Sequence, residues 1–536
     1  MTFRKFTFIH LILFLMVAIF NVAPWPFLML TVAQLLYIPI VLNFVMRKGD
    51  WLRKYYFWIA IPAYLAIVVL HVSNETQIDR LLAAVYFIFT IIIACYGVSR
   101  FLQRGFSHVE EFAIDMGLIY LALGGAWFFA YEAHIDTGFP PLITWLTAIH
   151  FHYSAFLLPV FVGFLGRLQK NVLYKVICTI ILLSPMIVAL GITFSRWLEL
   201  LSVILYIIGL YGLIVLSFQA QFTSPIQTWL VRISFAALGI TIGFSFLYAL
   251  GSGWGLFIVT IDFMLLFHGT LNCILFALCG IFGWSLAIPK STHRKFDFPV
   301  SKIRAGLVVG DNILENLVDA QTNYYSLVDD MSVYEPGISV EKVSPTIIDF
   351  YESTANYRLF AEIKWAKWFK PFAFIYRQIS RYVKQINLPL SNSVSEMTGD
   401  IFAIKDRLDG RVRPRAWVRK VDGQVTFVAL YSEHKTAERT YMNIALPLPW
   451  TAMIGILELN QVGKGIQLTS NKQSGPESEA GIYLAWKNIL IKLPLKEVFH
   501  VEELENNVLR AEHQMWIFSI PFLTINYKIY HQKLIK

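Results

Sequence analysis

The chain is short of charge. Lys, Arg, Asp and Glu make up 15% of its 536 residues, against about 25% in a soluble domain. It is also short of cysteine. The four present are Cys95, Cys178, Cys273 and Cys279, all within apolar runs. Beyond residue 290 there is none, which excludes a disulfide framework or a CxxC zinc motif from that part. Cys273 and Cys279 lie six apart on one expected helix, not side by side, and read as small buried side chains. No P-loop, GxGxxG, HExxH or nucleophile elbow occurs, so the reactions those motifs serve lose their usual signature. "GSGWG" at 251–255 puts its serine in the wrong place for an elbow. Glu512-His513 is one acid beside one imidazole, a weak catalytic hint. His434, between Glu433 and Lys435, reads as a solvated strand end.

What the chain has is apolar surface, at 56% of its residues, unevenly spread. Residues 1–289 run from one apolar stretch to the next and form a transmembrane helical domain. Residues 290–397 read as a helical linker or interfacial segment, and 398–536 as a cytoplasmic antiparallel β-rich domain. A helix needs about 20 apolar residues to cross a bilayer. On that basis ten spans fall near 6–22, 26–46, 55–72, 81–98, 112–131, 141–166, 172–194, 197–217, 228–249 and 257–287. The expected fold is therefore an α-helical polytopic membrane bundle followed by an α+β domain.

Alternate loops carry the basic residues. Arg4 and Lys5, then Arg47, Lys48, Arg53 and Lys54, then Arg100 and Arg104 mark one side. Arg167, Lys170, Lys175, Lys290, Arg294 and Lys295 continue it, while the other side holds only Arg80 and Arg196. Positive charge marks the cytoplasmic side. The expectation is a multi-pass cell-membrane protein with both termini cytoplasmic. The net charge of +9 then reports topology, and no nucleic-acid partner is implied.

Ionisable side chains inside a bilayer are costly and are functional candidates by default. His150, His152 and Tyr153 fall in the sixth span, and Asp262, His268 and Asn272 in the tenth. Asp115 lies in the fifth. Glu132, His134 and Asp136 ("YEAHID") sit where the fifth span leaves the membrane, as an acidic outer mouth. At 1.5 Å per residue the three histidines of spans six and ten lie roughly 14–18 Å deep, near the midplane. Residues two apart on a helix diverge by about 200°, so His150 and His152 cannot serve one point. One of them could face His268 and Asn272. Imidazole suits a metal or haem site or a proton relay. Interhelical hydrogen bonding is the plainer account.

In the soluble part a helix is expected over "DNILENLVDAQTNYYSLV" and another over "STANYRLFAEIKWAKWFKPFAFIYRQISRYVKQINLPL". On the second, Trp365, Trp368, Phe369, Phe372 and Tyr376 share a face flanked by Lys364, Lys367 and Lys370, the pattern of a helix lying in a membrane interface. From about 398 the pattern alternates. Asp422-Gly423 marks a hairpin, and regular turns continue to the end. That suggests an antiparallel sheet curled into a barrel or half-barrel. Several strands are apolar on both faces, as in a doubly covered sheet or a wall around an apolar ligand. The basic run "RVRPRAWVRK" reads as a membrane-facing or solvated edge.

The whole chain resembles the YndJ-like family of multi-pass membrane proteins from Bacillus and its relatives. "HFHYSAFLLPVFVG" at 150–163, "HGTLNCILFALCG" at 268–280 and "FYESTANYRLFAEIKWAKWFKP" carry the resemblance. It implies a Gram-positive cell membrane and the two-part layout, and assigns no activity. Three readings stand. The first is a membrane protein that binds or moves an apolar or lipid-like ligand. The second is a membrane-embedded enzyme with a histidine-ligated metal or haem. The third is a structural scaffold. The cofactor is left open, and the lipid bilayer is the one firm partner.

Overall fold

A computed structural model describes every residue except 1–2, 22–23, 74–76, 255–258, 292–295, 297, 476, 488 and 535–536. The chain folds as two compact units, residues 1–101 with 108–293, and residues 102–107 with 294–536. The start of the expected tenth span at 257–258, and Arg294 and Lys295, lie outside the described residues.

In the first unit, nine helices among the described residues are long and apolar enough to cross a membrane. They are Trp25–Val45, Trp51–Val72, Asp79–Leu102, Val109–Glu132, Pro141–Leu168, Val172–Phe194, Arg196–Gln219, Pro225–Gly251 and Ile261–Leu286. The helix Phe3–Phe20 precedes them and packs Phe6, His10 and Val17 inward. Two helices, Trp25–Val45 and Pro141–Leu168, are 83% buried and the rest 22–56%, so these two form the centre of the unit.

Both central helices contain a proline, Pro39 and Pro159. Each is preceded by a wide π-turn, Ala33–Tyr37 and Tyr153–Leu157. Proline has no N–H, so the carbonyl four residues back loses its donor and the helix loosens there. Ile261–Leu286 has two π-segments, Met264–Gly269 and Asn272–Leu278, with no proline to explain them.

Among its described residues the second unit contains twelve strands: β1 Tyr357–Trp365, β2 Ser395–Ala403, β3 Arg415–Val421, β4 Gln424–Thr436, β5 Arg439–Leu448, β6 Thr451–Val462, β7 Gly465–Thr469, β8 Gly481–Trp486, β9 Ile489–Lys492, β10 Leu495–Glu503, β11 Leu509–Ile517 and β12 Ile520–His531. The sheet order is β5-β4-β3-β2-β1-β12-β11-β10-β7-β6, and β6 pairs back onto β5. Ten strands thus close into an antiparallel barrel, and β8 and β9 extend the sheet from β6. The expected hairpin sits between β3 and β4, where Asp422 and Gly423 both take positive φ, 50° and 71°, as a type I′ turn requires.

Alternation sorts the side chains. Trp417, Phe427, Ala429, Tyr431 and Leu457 point into the barrel. Ala416, Val418, Val428, Leu430, Ile454 and Ile456 point out, and a strap bearing Phe298, Ile303, Ala305 and Val309 covers them. The strap is pinned by Ala305, which donates to Leu448 and accepts from Trp450 at 3.2 and 2.9 Å. Two covered faces explain why these strands are apolar throughout.

Two expected helices differ. Residues 311–328 hold one short turn, Asp311–Leu314. Residues 357–365 are β1, and the helix begins only at Lys370 and runs to Val383. Tyr357, Leu359, Ala361 and Ile363 are buried in alternation with half-buried Arg358, Phe360 and Glu362. That two-residue period is the strand signal, hidden beneath aromatics that also suit a helical wheel.

Candidate functional site

The barrel is hollow. Its lumen is a cavity of about 460 Å³, within the range of small-molecule sites. The wall is apolar and aromatic, with Trp417, Phe427, Tyr431, Phe499, Phe522 and Tyr527 among its residues. Trp365, Phe369, Phe372 and Tyr376 bound it where β1 runs into the helix Lys370–Val383. Trp365 and Trp368 are fixed through their indole N–H groups, donating to Pro389 and Pro521 carbonyls at 3.0 and 2.9 Å. The helix buries only Ala373 and Ser380. Phe374, Ile375, Ile379 and Tyr382 remain exposed.

Besides tyrosine hydroxyls and indole N–H groups, three polar side chains interrupt this wall: Arg419, Glu497 and His513. His513 Nε2 lies 3.1 Å from a Glu497 carboxylate oxygen, and its ring stacks on Phe499 at 3.7 Å. Its acidic partner is Glu497, not the adjacent Glu512, whose position on β11 faces the other way toward Arg510. Arg419 lies over Trp417 and Phe427, at 4.6 and 4.3 Å from the ring centroids. Burial raises the Tyr431 and Tyr527 phenols, and the charge of Arg419 opposes it.

The basic run 411–420 is therefore not an edge. Arg411 is fully buried, paired with Asp409 at 2.6 Å and bonded to Asn443. Arg415 bonds Ser326 and covers Tyr324. Arg413 pairs with Asp329 and Lys420 with Asp311. Each has a local partner: Arg411 and Arg413 lie before β3, Arg415 opens it and Lys420 stands near its end. His434 is likewise no solvated end. It is buried, stacks on Tyr441 and Phe298, and lies 3.1 Å from Glu479.

In the membrane unit the His150 and His268 rings approach to 6.5 Å between centroids. Each Nδ1 faces a backbone carbonyl, Leu146 at 2.6 Å and Thr241 at 3.1 Å. Asn272 accepts from Thr241 at 2.9 Å beside them. His152 points elsewhere, fully buried, with Nε2 2.9 Å from the Tyr86 hydroxyl. Tyr153 donates to Met29 O at 2.7 Å, and its hydroxyl oxygen lies 3.4 Å from Cys273 Sγ. Asp262 is exposed in the first turn of its helix. Glu132 is half-buried, and His134 and Asp136 are exposed in the turn beyond it. Among the described residues, no three His, Cys, Asp or Glu side chains gather as metal donors.

Two groupings escaped sequence reasoning. Tyr37 donates to the Cys273 carbonyl at 3.0 Å and meets Tyr153 edge to face at 6.2 Å. The π-turns of three helices thus converge on Tyr37, Tyr153 and Cys273. The second grouping is ionic. Glu111 accepts from Arg167 at 2.7 and 3.0 Å and from Arg100 at 3.1 Å, and Arg47 lies 3.5 Å away. Arg100 also donates to Asp115 at 2.7 Å, and Glu110 holds Lys170. The sequence signal is "HVEEFAID" together with Arg47, Arg100 and Arg167 near span ends, where a basic residue also reads as a topology charge.

The profile of the YndJ-like protein family matches residues 28–276. The Uncharacterized membrane protein YndJ of Bacillus subtilis (strain 168) is 40% identical over 456 residues, covering 84% of this chain and 83% of that protein. No solved structure matches the chain.

Proposed function

The chain belongs to the YndJ-like family, and from the barrel we propose that this multi-pass membrane protein binds or moves an apolar or lipid-like ligand. The hollow aromatic lumen carries the reading. A 460 Å³ space walled by apolar side chains is left unfilled in an interior that normally packs to crystal density. In this reading Trp365, Trp368, Phe369 and Phe372 form the mouth, and the exposed apolar face of the following helix rests on a cytoplasmic lipid surface. His150, His152, Tyr153, Asp262, His268 and Asn272 supply polar footing within the bilayer, below Glu132, His134 and Asp136.

The test uses the full chain in phosphatidylcholine nanodiscs with a photoreactive C16 alkyl probe. Label is expected on peptides containing Phe427–Tyr431 and Leu509–Ile517. Ala429→Trp, which fills the lumen, should remove it while leaving the melting transition in place. Label confined to the membrane spans would sink the reading.

The approach of His150 to His268 favours a second reading, a histidine-held metal. Metal analysis of purified protein beside His150→Ala/His268→Ala decides it. A stoichiometric metal lost in the variant supports this reading, and no metal in either protein retires it.

A further inference from the structure

The lumen is not uniformly apolar, and its polar groups are not balanced locally. Glu497 is engaged by His513 at 3.1 Å. Arg419 has no such acid. No carboxylate lies within ion-pairing distance of it among the described residues, and its buried Nε–H has no hydrogen-bond partner there. Its surroundings are the faces of Trp417 and Phe427 and the Tyr527 phenol. Aromatic faces attract the cation but accept no in-plane N–H bond.

The strand geometry holds it inward. Arg419 is directly opposite Phe427 on β4 and Gly399 on β2. A side chain at 399 would meet the Trp417 indole, since a Cβ there would stand 2.4 Å from its Nε1. Glycine thus leaves room for the tryptophan on which the guanidinium lies. Arg419 is half-buried, with the neutral Tyr527 phenol beside it and no anionic acceptor among the described residues; a guanidinium on an apolar wall gains from a charged partner, and its planar fork matches carboxylate and phosphate oxygens.

Resting on the lumen reading above, we propose that the ligand is an amphiphile with an anionic head, its carboxylate or phosphate seated on Arg419 and its alkyl chain along the aromatic wall. A free fatty acid and a lysophospholipid with a phosphomonoester head share this chemistry. Tyr527 stands beside the guanidinium as a second donor to the head.

Three photoreactive probes with the same C16 chain test this on the full chain in phosphatidylcholine nanodiscs: the carboxylic acid, the phosphate monoester and the primary alcohol. Lumen peptides are expected to take label from an acidic head at least about tenfold more than from the alcohol, the loss typical of one charged hydrogen bond. Arg419→Gln should bring the acid down to the alcohol's level, and Arg419→Lys should retain part of the preference. Whichever acidic probe labels more strongly identifies the head. Equal lumen labelling by acid and alcohol in the native protein overturns the anionic head yet leaves the lumen reading standing. No lumen labelling by any probe overturns both. The native comparison needs no variant to fold.

Discussion

His10 holds the carbonyl oxygen of Leu35, with its Nδ1 2.8 Å away. Leu35 stands four residues before Pro39, so the backbone N–H that would have met this carbonyl does not exist. A side chain from the first helix supplies it. In a bilayer, where water cannot stand in, each such group must be met from within the protein.

His10→Ala should therefore cost about 1–2 kcal/mol in the membrane unit. In a Pro39→Ala background the restored N–H can reach Leu35, and the same change should cost less than half as much. Thermal melts of the four proteins in one detergent give the coupling. Equal costs in both backgrounds would refute the link.

Glu111 is the acidic hub for Arg100 and Arg167, and its side chain is fully buried. Removing one partner from a buried ionic group leaves charge uncompensated, at about 3–5 kcal/mol. Glu111→Gln should fold poorly, with low yield and an early melt. Adding Arg167→Gln should recover part of the loss by removing one of the orphaned charges. If the double variant is no better than the single, the arginines do not depend on Glu111 for compensation.

Lys492 donates to the Ala480 carbonyl at 3.0 Å. Burial, with Lys472 and Lys496 nearby, lowers its pKa to about 7. An unfolded lysine titrates near 10.4, so between these values the unfolded chain binds more protons. Stability then rises with pH from about 7 towards 10, by at most one proton's slope, and flattens below 7. Lys492→Met should remove that rise. Melting temperatures of the full chain at stepped pH, native against variant, measure it. Parallel curves for the two proteins would overturn the assignment.

The spans could be read from the sequence because the bilayer imposes one requirement, about 20 apolar residues per crossing. The π-turns could not. Pro39 and Pro159 mark where a helix is disturbed, but where the freed carbonyl finds its donor depends on packing. The strands after 398 declared themselves by alternation and by Asp422-Gly423. β1 did not, since Trp365, Trp368, Phe369 and Phe372 satisfy a helical wheel as readily as a strand running into a helix. Counting residues from the span starts sets His150 and His268 at similar heights, and the two rings stand 6.5 Å apart between centroids. Arg419 is hidden in sequence among four neighbouring basic residues, Arg411, Arg413, Arg415 and Lys420. Only the closed sheet separates the arginine facing the lumen from those that meet Asp409, Asp329 and Ser326.

The barrel closes along a seam between distant parts of the chain. Tyr357 pairs with His531 and Trp365 with Leu523. During synthesis, β1 has no partner on that side until the strand at 520–531 leaves the ribosome. Every span in residues 25–286 has by then been made. A barrel sealed by its last strand can close only once the spans have been made, so the order of translation sets the order in which the two units are completed.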